Sequence, residues 1–258
     1  MFCCGSSPGT DADARAVTTM DTPGTTRLIA RHGDSLAFID KPSGILVHNS
    51  AWAGPREPHT LVDDVRRLLG DGWAPLHRLD RQTSGVVAFA RDADAGAVAR
   101  WQRALAADDC DKRYWALVRG HFAAAVRVDH AFADDDDDTD AVRDAVSEIA
   151  PLLVSPVDRC SLVEIRLLTG RRHQARRHLK HLAHPVIGDA SHGKGAINRA
   201  YREQYGVRRM ALHARSIQIV DATSAACVRA VSKLPLDLSS ALCRLFDARD
   251  VAALDDRP

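Results

Sequence analysis

The hydrophobic positions change period several times along the chain, and each change predicts an element. Leu28 to Ala30 and Leu36 to Asp40 are apolar runs on either side of Arg31-His32-Gly33-Asp34, the pattern of two short strands and a turn. Lys41-Pro42-Ser43-Gly44 ends the second run, with Lys41 as a turn residue, and Ile45 to His48 resumes an extended pattern. Leu61, Val65, Leu68 and Leu69 recur at helical spacing behind Thr60-Leu61-Val62-Asp63, a capping box with Asp in place of Glu, and Gly70 is the expected stop. Val86 to Ala90 is a compact apolar strand. Val98, Trp101 and Leu105 share a helical face, which makes Trp101 a core residue. Arg113 to Val118 is a strand on which Tyr114 and Trp115 face opposite sides. Val163, Ile165 and Leu167 alternate with Glu164 and Arg166, a half-buried strand. Ala175, Leu179 and Leu182 return to helical spacing with Thr169 as the expected cap, and Leu238 to Phe246 is a last helix. Strands and helices mix without regular βαβ alternation, so the class is α+β.

Composition bounds the picture further. The 258 residues are 45% apolar and 27% charged, the profile of a soluble globular enzyme. Residues 1–25, rich in Gly, Ser, Thr, Asp and Ala, read as a disordered leader without the order of a secretory signal. Residues 26–248 read as one domain and 249–258 as a tail. No apolar run is long enough for a bilayer, so no membrane partner is expected. The six cysteines show no C-x-x-C spacing, so neither zinc nor a disulfide framework is indicated, and free thiols favour the cytoplasm.

The net charge of +1 announces no nucleic-acid partner, but its distribution is uneven. Arg166 to Lys180 holds six Lys or Arg and no acid, whereas Asp134 to Asp144 reverses the bias. A basic stripe apart from an acidic run suits a protein that binds an anion on one face. The Asp134 to Asp138 run lacks the Gly and Glu positions of a calcium loop.

Two stretches carry candidate chemistry. In His77-Arg78-Leu79-Asp80-Arg81-Gln82-Thr83-Ser84-Gly85, the acid between Arg78 and Arg81 is expected to stay ionised at neutral pH, as a nucleophile or base. Taken alone, the same residues read as a loop salt bridge. In TGRRHQARRHLKHLAH, Thr169 to His184, the residues Arg172, Arg176 and Lys180 are four apart and line one helix flank. That ridge follows a phosphate backbone, turns one guanidinium inward to a carboxylate, or is a solvated face.

HRLDRQTSG, then KRYWALVRG at Lys112 to Gly120, then LTGRRHQARRHL, HPVIGD at His184 to Asp189 and LHA at Leu212 to Ala214 occur in the order of one family. From Leu28 to Leu245 the chain resembles the RluA family of pseudouridine synthases. The resemblance implies a curved, mixed and mostly antiparallel sheet with helices and loops around a central RNA-binding cleft. It implies Asp80 as the catalytic residue, Tyr114 packed on the target base and Arg176 paired with the catalytic carboxylate. It makes Arg78, which helps hold the RNA open, an RNA-binding residue, and Arg81, Arg171, Arg172 and Lys180 are candidates beside it. Residues Arg176 to Gly193, with Asn198-Arg199 and Tyr205-Gly206 before Met210 to Ala214, are similar to the branch that contains tRNA pseudouridine synthase C. That branch implies a uridine of the tRNA acceptor–T-arm region, position 65 in tRNA numbering, in preference to ribosomal RNA. A monomer with no obligatory protein partner is expected.

Isomerisation needs no redox change or energy input, and no phosphate-cradling glycine loop is present, so no cofactor is expected. Departures from the family pattern are Ala175, where Ile or Leu is usual, and the Asp134 to Asp138 loop. Two rival readings come from the residues themselves. His173, His178, His181, His184 and His192 crowd one segment as a metal hydrolase would require, but there is no H-E-x-x-H and the arginines repel a cation. A non-catalytic RNA-binding module would leave Asp80 dispensable.

Overall fold

The computed structural model describes residues 24–49, 57–91, 96–133 and 142–256. Most of the leader and the Asp134 to Asp138 run lie outside them. The strands are β1 (Arg27–His32), β2 (Leu36–Lys41), β3 (Trp73–Pro75), β4 (Ser84–Arg91), β5 (Asp111–Arg119), β6 (Val126–Asp129), β7 (Phe132–Ala133), β8 (Val142–Arg143), β9 (Val146–Val154), β10 (Cys160–Leu167), β11 (Leu212–Val220) and β12 (Cys227–Val231). The helices are α1 (Leu61–Leu69), α2 (Ala97–Ala106), α3 (Gln174–His181), α4 (Gly195–Tyr205), α5 (Leu236–Leu242) and α6 (Ala248–Asp255).

Ten strands form one open, mixed sheet in the order β1-β2-β4-β11-β5-β10-β9-β6, with β12 on β11 and β3 on β4. Its pairings are antiparallel except that of β4 with β11, where His213 meets Ser84 and Ala214 meets Gly85. Both faces are buried, so strand alternation sorts side chains into separate cores. On β4, Val86, Ala88 and Ala90 enter one cluster and Val87 and Phe89 the opposite one. On β5, Trp115 and Leu117 face α5 and α6, whereas Ala116 and Val118 face α3. Tyr114 packs against two clusters at once, on the seam between the halves of the sheet.

Several elements differ from the sequence reading. Ile45 to His48 is not a strand; Leu46 makes one isolated bridge to Thr60. Thr169 does not cap α3, whose N-cap is His173 four residues later. The Thr169 hydroxyl instead donates to Gln174 Oε1 at 2.7 Å and accepts from Val146 N at 3.0 Å. Arg172 therefore precedes the helix and shares no flank with Arg176 and Lys180. Leu238 to Phe246 divides after Leu242, and the stretch expected as a tail forms α6, whose Val251 and Leu254 enter the core. The α1 capping box is present: Asp63 accepts from both the Thr60 amide and its hydroxyl at 2.8 Å. Trp101 is fully buried and donates to Ser35 at 3.0 Å.

Candidate active site

The loop before β4 is shaped from behind. His77 folds back to accept the Ala88 amide on Nε2 at 3.0 Å, and burial lowers its pKa to about 4, so the ring is a neutral acceptor. Leu79 is buried beside Val47, Leu61 and Ala214. With that apolar anchor inside, Arg78 and Asp80 on either side line the cleft. The turn closes with Thr83 N donating to Asp80 O at 3.0 Å. The carbonyl of Arg81 accepts from Gly44 N at 2.8 Å and Lys41 Nζ at 3.1 Å. The carbonyl of Gln82 accepts from the Ser43 hydroxyl at 2.8 Å. Arg209 spans this turn and α5: it donates to Ser84 Oγ at 3.0 Å and to Asp237 at 2.6 Å.

From the opposite side α3 delivers Arg176. Its turn is built by Gln174, whose amide accepts from Thr169 and the Arg171 amide and donates to Val146 O and Ser147 Oγ, so all its polar capacity is used. The chain crosses into the helix through His173 at φ 55, a left-handed conformation at a residue other than Gly. Arg176 NH1 donates to Asp80 Oδ2 at 2.9 Å. Its Nε and NH2 grip Asp189 at 2.6 and 2.8 Å. Asp189 also accepts the amides of Ser191 and His192 at 2.9 Å. Burial pushes the Asp189 pKa up, but Arg176 and these amides outweigh it and hold the carboxyl below its ordinary value. Arg176 is thus a bridge between two carboxylates.

Asp80 lines the cavity, and its Oδ1 lies 3.6 Å from His173 Nε2. Burial, then the His173 surroundings of Arg176 and Arg172, keep that imidazole below its ordinary pKa although Asp80 opposes them. The Tyr114 hydroxyl is raised by burial and next by the charge of Asp80, so it stays protonated. The cavity of about 200 Å³ gathers Asp80, Tyr114, Arg176, Arg78, Arg171 and Arg172. Trp115 lies on the other face of β5 with Arg215 4.4 Å over its ring.

Two expected residues lie elsewhere. Arg81 turns away to pair with Glu57 at 2.5 Å, and Lys180 sits on the outer side of α3. The crowded histidines do not converge: His178 bonds Ser147 and the His130 carbonyl, His184 bonds the Arg119 carbonyl, and His181 stacks on His130. Sequence reasoning missed three contributors. Asp189 stood within HPVIGD with no role, and His173 was weighed only as a metal ligand. Lys41, read as a rim turn residue, is fully buried at the end of β2, and burial with the nearby Arg209 lowers its pKa to about 7. Its unusual environment exists only once β2 and the Asp80 turn are packed together.

A buried guanidinium holding a carboxylate that lines an arginine-rimmed slot beside a protonated tyrosine suits chemistry on a flipped, anionic-backbone substrate. The family profile that the chain matches, over residues 35–181, is RNA pseudouridylate synthase. The chain belongs to this family and is an RNA pseudouridine synthase, an isomerase. It is 34% identical over 202 residues to tRNA pseudouridine synthase C of Vibrio vulnificus, covering 70% of this chain and 80% of that protein. It is 36% identical over 202 residues to tRNA pseudouridine synthase C of Pasteurella multocida, covering 70% and 81%. The solved structure of Human RNA Pseudouridylate Synthase Domain Containing 1 superposes with TM-score 0.67 at 25% identity, over 93% of this chain and 99% of that one.

Proposed function

We propose that the chain converts a uridine in the acceptor–T-arm region of tRNA to pseudouridine, with Asp80 as its catalytic carboxylate. The names of its similar relatives support tRNA as the substrate. The observation that carries the chemistry is the unequal treatment of the two Asp80 oxygens. Oδ2 accepts from Arg176 at 2.9 Å, whereas Oδ1 stands 3.6 Å from His173 Nε2 in a residue that lines the cavity. In the reaction the uracil N1–C1′ bond breaks, the ring turns, and C5 bonds to C1′; the C5 proton leaves and N1 gains one. Attack of Oδ1 on C1′, its addition to the uracil ring, or its removal of the C2′ proton each starts from an ionised Asp80. Tyr114 stacks on the base, and its protonated hydroxyl lies on the cavity wall for a proton step. Arg78, Arg171 and Arg172 at the rim neutralise phosphates of the splayed strand and so offset the few kcal/mol that flipping costs.

The test is pseudouridine-specific chemical sequencing of tRNA and ribosomal RNA from a strain lacking the gene, and from that strain carrying wild-type or Asp80→Asn protein. One tRNA acceptor–T-arm site should disappear, return with the wild type and stay absent with the variant. Loss of a ribosomal site instead would overturn the tRNA assignment, and restoration by the Asn variant would overturn that of Asp80.

A further inference from the structure

The outer side of α3 carries a second cavity, of about 400 Å³, that the isomerisation does not use. Its lining among the described residues is His130, Phe132, Arg177, Lys180, His181 and His192, none of them a carboxylate. The imidazoles of His130 and His181 are exposed and stack on each other, centroids 3.8 Å apart and planes at 17°. The Arg177 guanidinium lies 3.8 Å over the Phe132 ring and donates to Ala133 O at 2.9 Å, so it is held as a flat platform. Lys180 is exposed and makes no hydrogen bond or ion pair among the described residues. His192 Nε2 is buried and lacks a hydrogen-bond partner.

This cavity shares a wall with the active site. The His192 ring packs edge-on against His173 at 5.6 Å, and His173 Nε2 is 3.6 Å from Asp80. A metal is a poor occupant, because Arg177 and Lys180 repel a cation and no group of three potential ligands converges among the described residues. Flat π faces, a guanidinium plane and an ammonium with no ion pair among the described residues suit an unstacked base and its phosphate. The one carboxylate that acts on the His192 charge, Asp189, is already gripped by Arg176. A flipped uridine leaves its neighbours without a stacking partner on one side, and this cavity lies one histidine pair away from where that happens.

We propose that the His130–His181 cavity binds the base and phosphate of a nucleotide flanking the target uridine. The proposal rests on the chain acting on RNA and not on which RNA it is. It is tested on whichever transcript the wild type converts, so a wrong tRNA assignment changes only the transcript. His130 and His181 are exposed, so a His130→Ala, His181→Ala double variant should fold, with circular dichroism and unfolding midpoint as controls. Stacking losses of this kind correspond to about a tenfold rise in KM with single-turnover rate at saturation unchanged. Lys180→Ala should lower the slope of log affinity against log salt by about one. Transcripts carrying an abasic site at each nucleotide flanking the target complete a double-mutant cycle. At one such position the abasic lesion should cost the wild type about tenfold and the double variant nothing more. Unchanged KM in the double variant, or strictly additive losses at every flanking position, would overturn the proposal. Asp134 to Asp138 follow Ala133 in the sequence, so a third arm replaces all five with Asn. RNA affinity that rises only while Lys180 and His181 are intact would show RNA reaching those two side chains once the acids are neutralised, and would support the proposal.

Discussion

At the scale of the residue, one guanidinium serves two carboxylates, and this separates chemistry from stability. Asp80→Asn keeps the shape of the side chain and loses the charge. We expect tritium release from C5-labelled uridine RNA to vanish while RNA binding and the unfolding midpoint stay near wild type; turnover close to the wild-type rate would remove Asp80 from the mechanism. Arg176→Ala should behave differently, because it strands the fully buried Asp189 as well as Asp80. Removing one partner of such a pair costs about 3–5 kcal/mol, so urea unfolding should shift by that amount at constant m-value. Its single-turnover rate should also fall with little change in RNA affinity. If Arg176→Ala altered only affinity and its salt slope, Arg176 would be a backbone contact and its bridge to Asp80 incidental.

At the scale of the element, the Asp80 turn is fixed by the strand that follows it. Gly85 has φ +115, and a Cβ there would stand 2.1 Å from the Ala214 carbonyl oxygen. The parallel pairing of β4 with β11 brings the two backbones to this distance, and backbone cannot move aside as a flexible side chain would. Gly85→Ala should therefore cost about 2–4 kcal/mol in urea unfolding and lower activity by displacing Asp80. Stability within 0.5 kcal/mol of wild type, a rough noise limit for neutral surface changes, would show that the strands separate easily. The same comparison explains which elements were legible. Continuous apolar runs located β2, β4 and the second half of β5, where both faces are buried, and periodic patterns located β10, α1 and α2, where burial repeats on one face. The start of α3 was not legible, since Thr169 is a good cap by type. A buried Gln174 with four partners on two segments claimed that hydroxyl instead.

At the scale of the whole molecule, a buried neutral histidine joins β11 to the strand beside it across the middle of the sheet. His213 on β11 contacts Ser84 Oγ through Nδ1 at 3.0 Å and the Ser232 carbonyl through Nε2 at 3.2 Å. Burial lowers its pKa to about 4, and His77 behaves likewise. In the unfolded chain both titrate near 6.5, so between about pH 6.5 and 4 the unfolded state binds more protons. Stability then rises with pH and is lost as pH falls through this window. For His213 the loss is up to about 3 kcal/mol, and for the less deeply buried His77 it is smaller. Urea unfolding at pH 7 and pH 4.5 should show the fall, and the His77→Gln, His213→Gln variant should show a flatter profile. An identical slope in that variant would place the acid sensitivity in other groups.

The sequence by itself determined the mixed class, the faces of the main strands and helices, and the order of motifs that carry the family resemblance. These are local properties: period, turn residues and runs of adjacent side chains are written along the chain. Tertiary structure alone decided which charges meet. Asp80 and Arg176 are 96 positions apart, and nothing along the chain shows that Arg176 spends two of its three contacts on Asp189. Arg81, adjacent to Asp80, is taken by Glu57, and Lys41 becomes a buried amine once β2 lies under the Asp80 turn. Long charged side chains reach several ångströms in any direction, so their partners are set by packing, and the chemistry of this site is therefore a property of the fold.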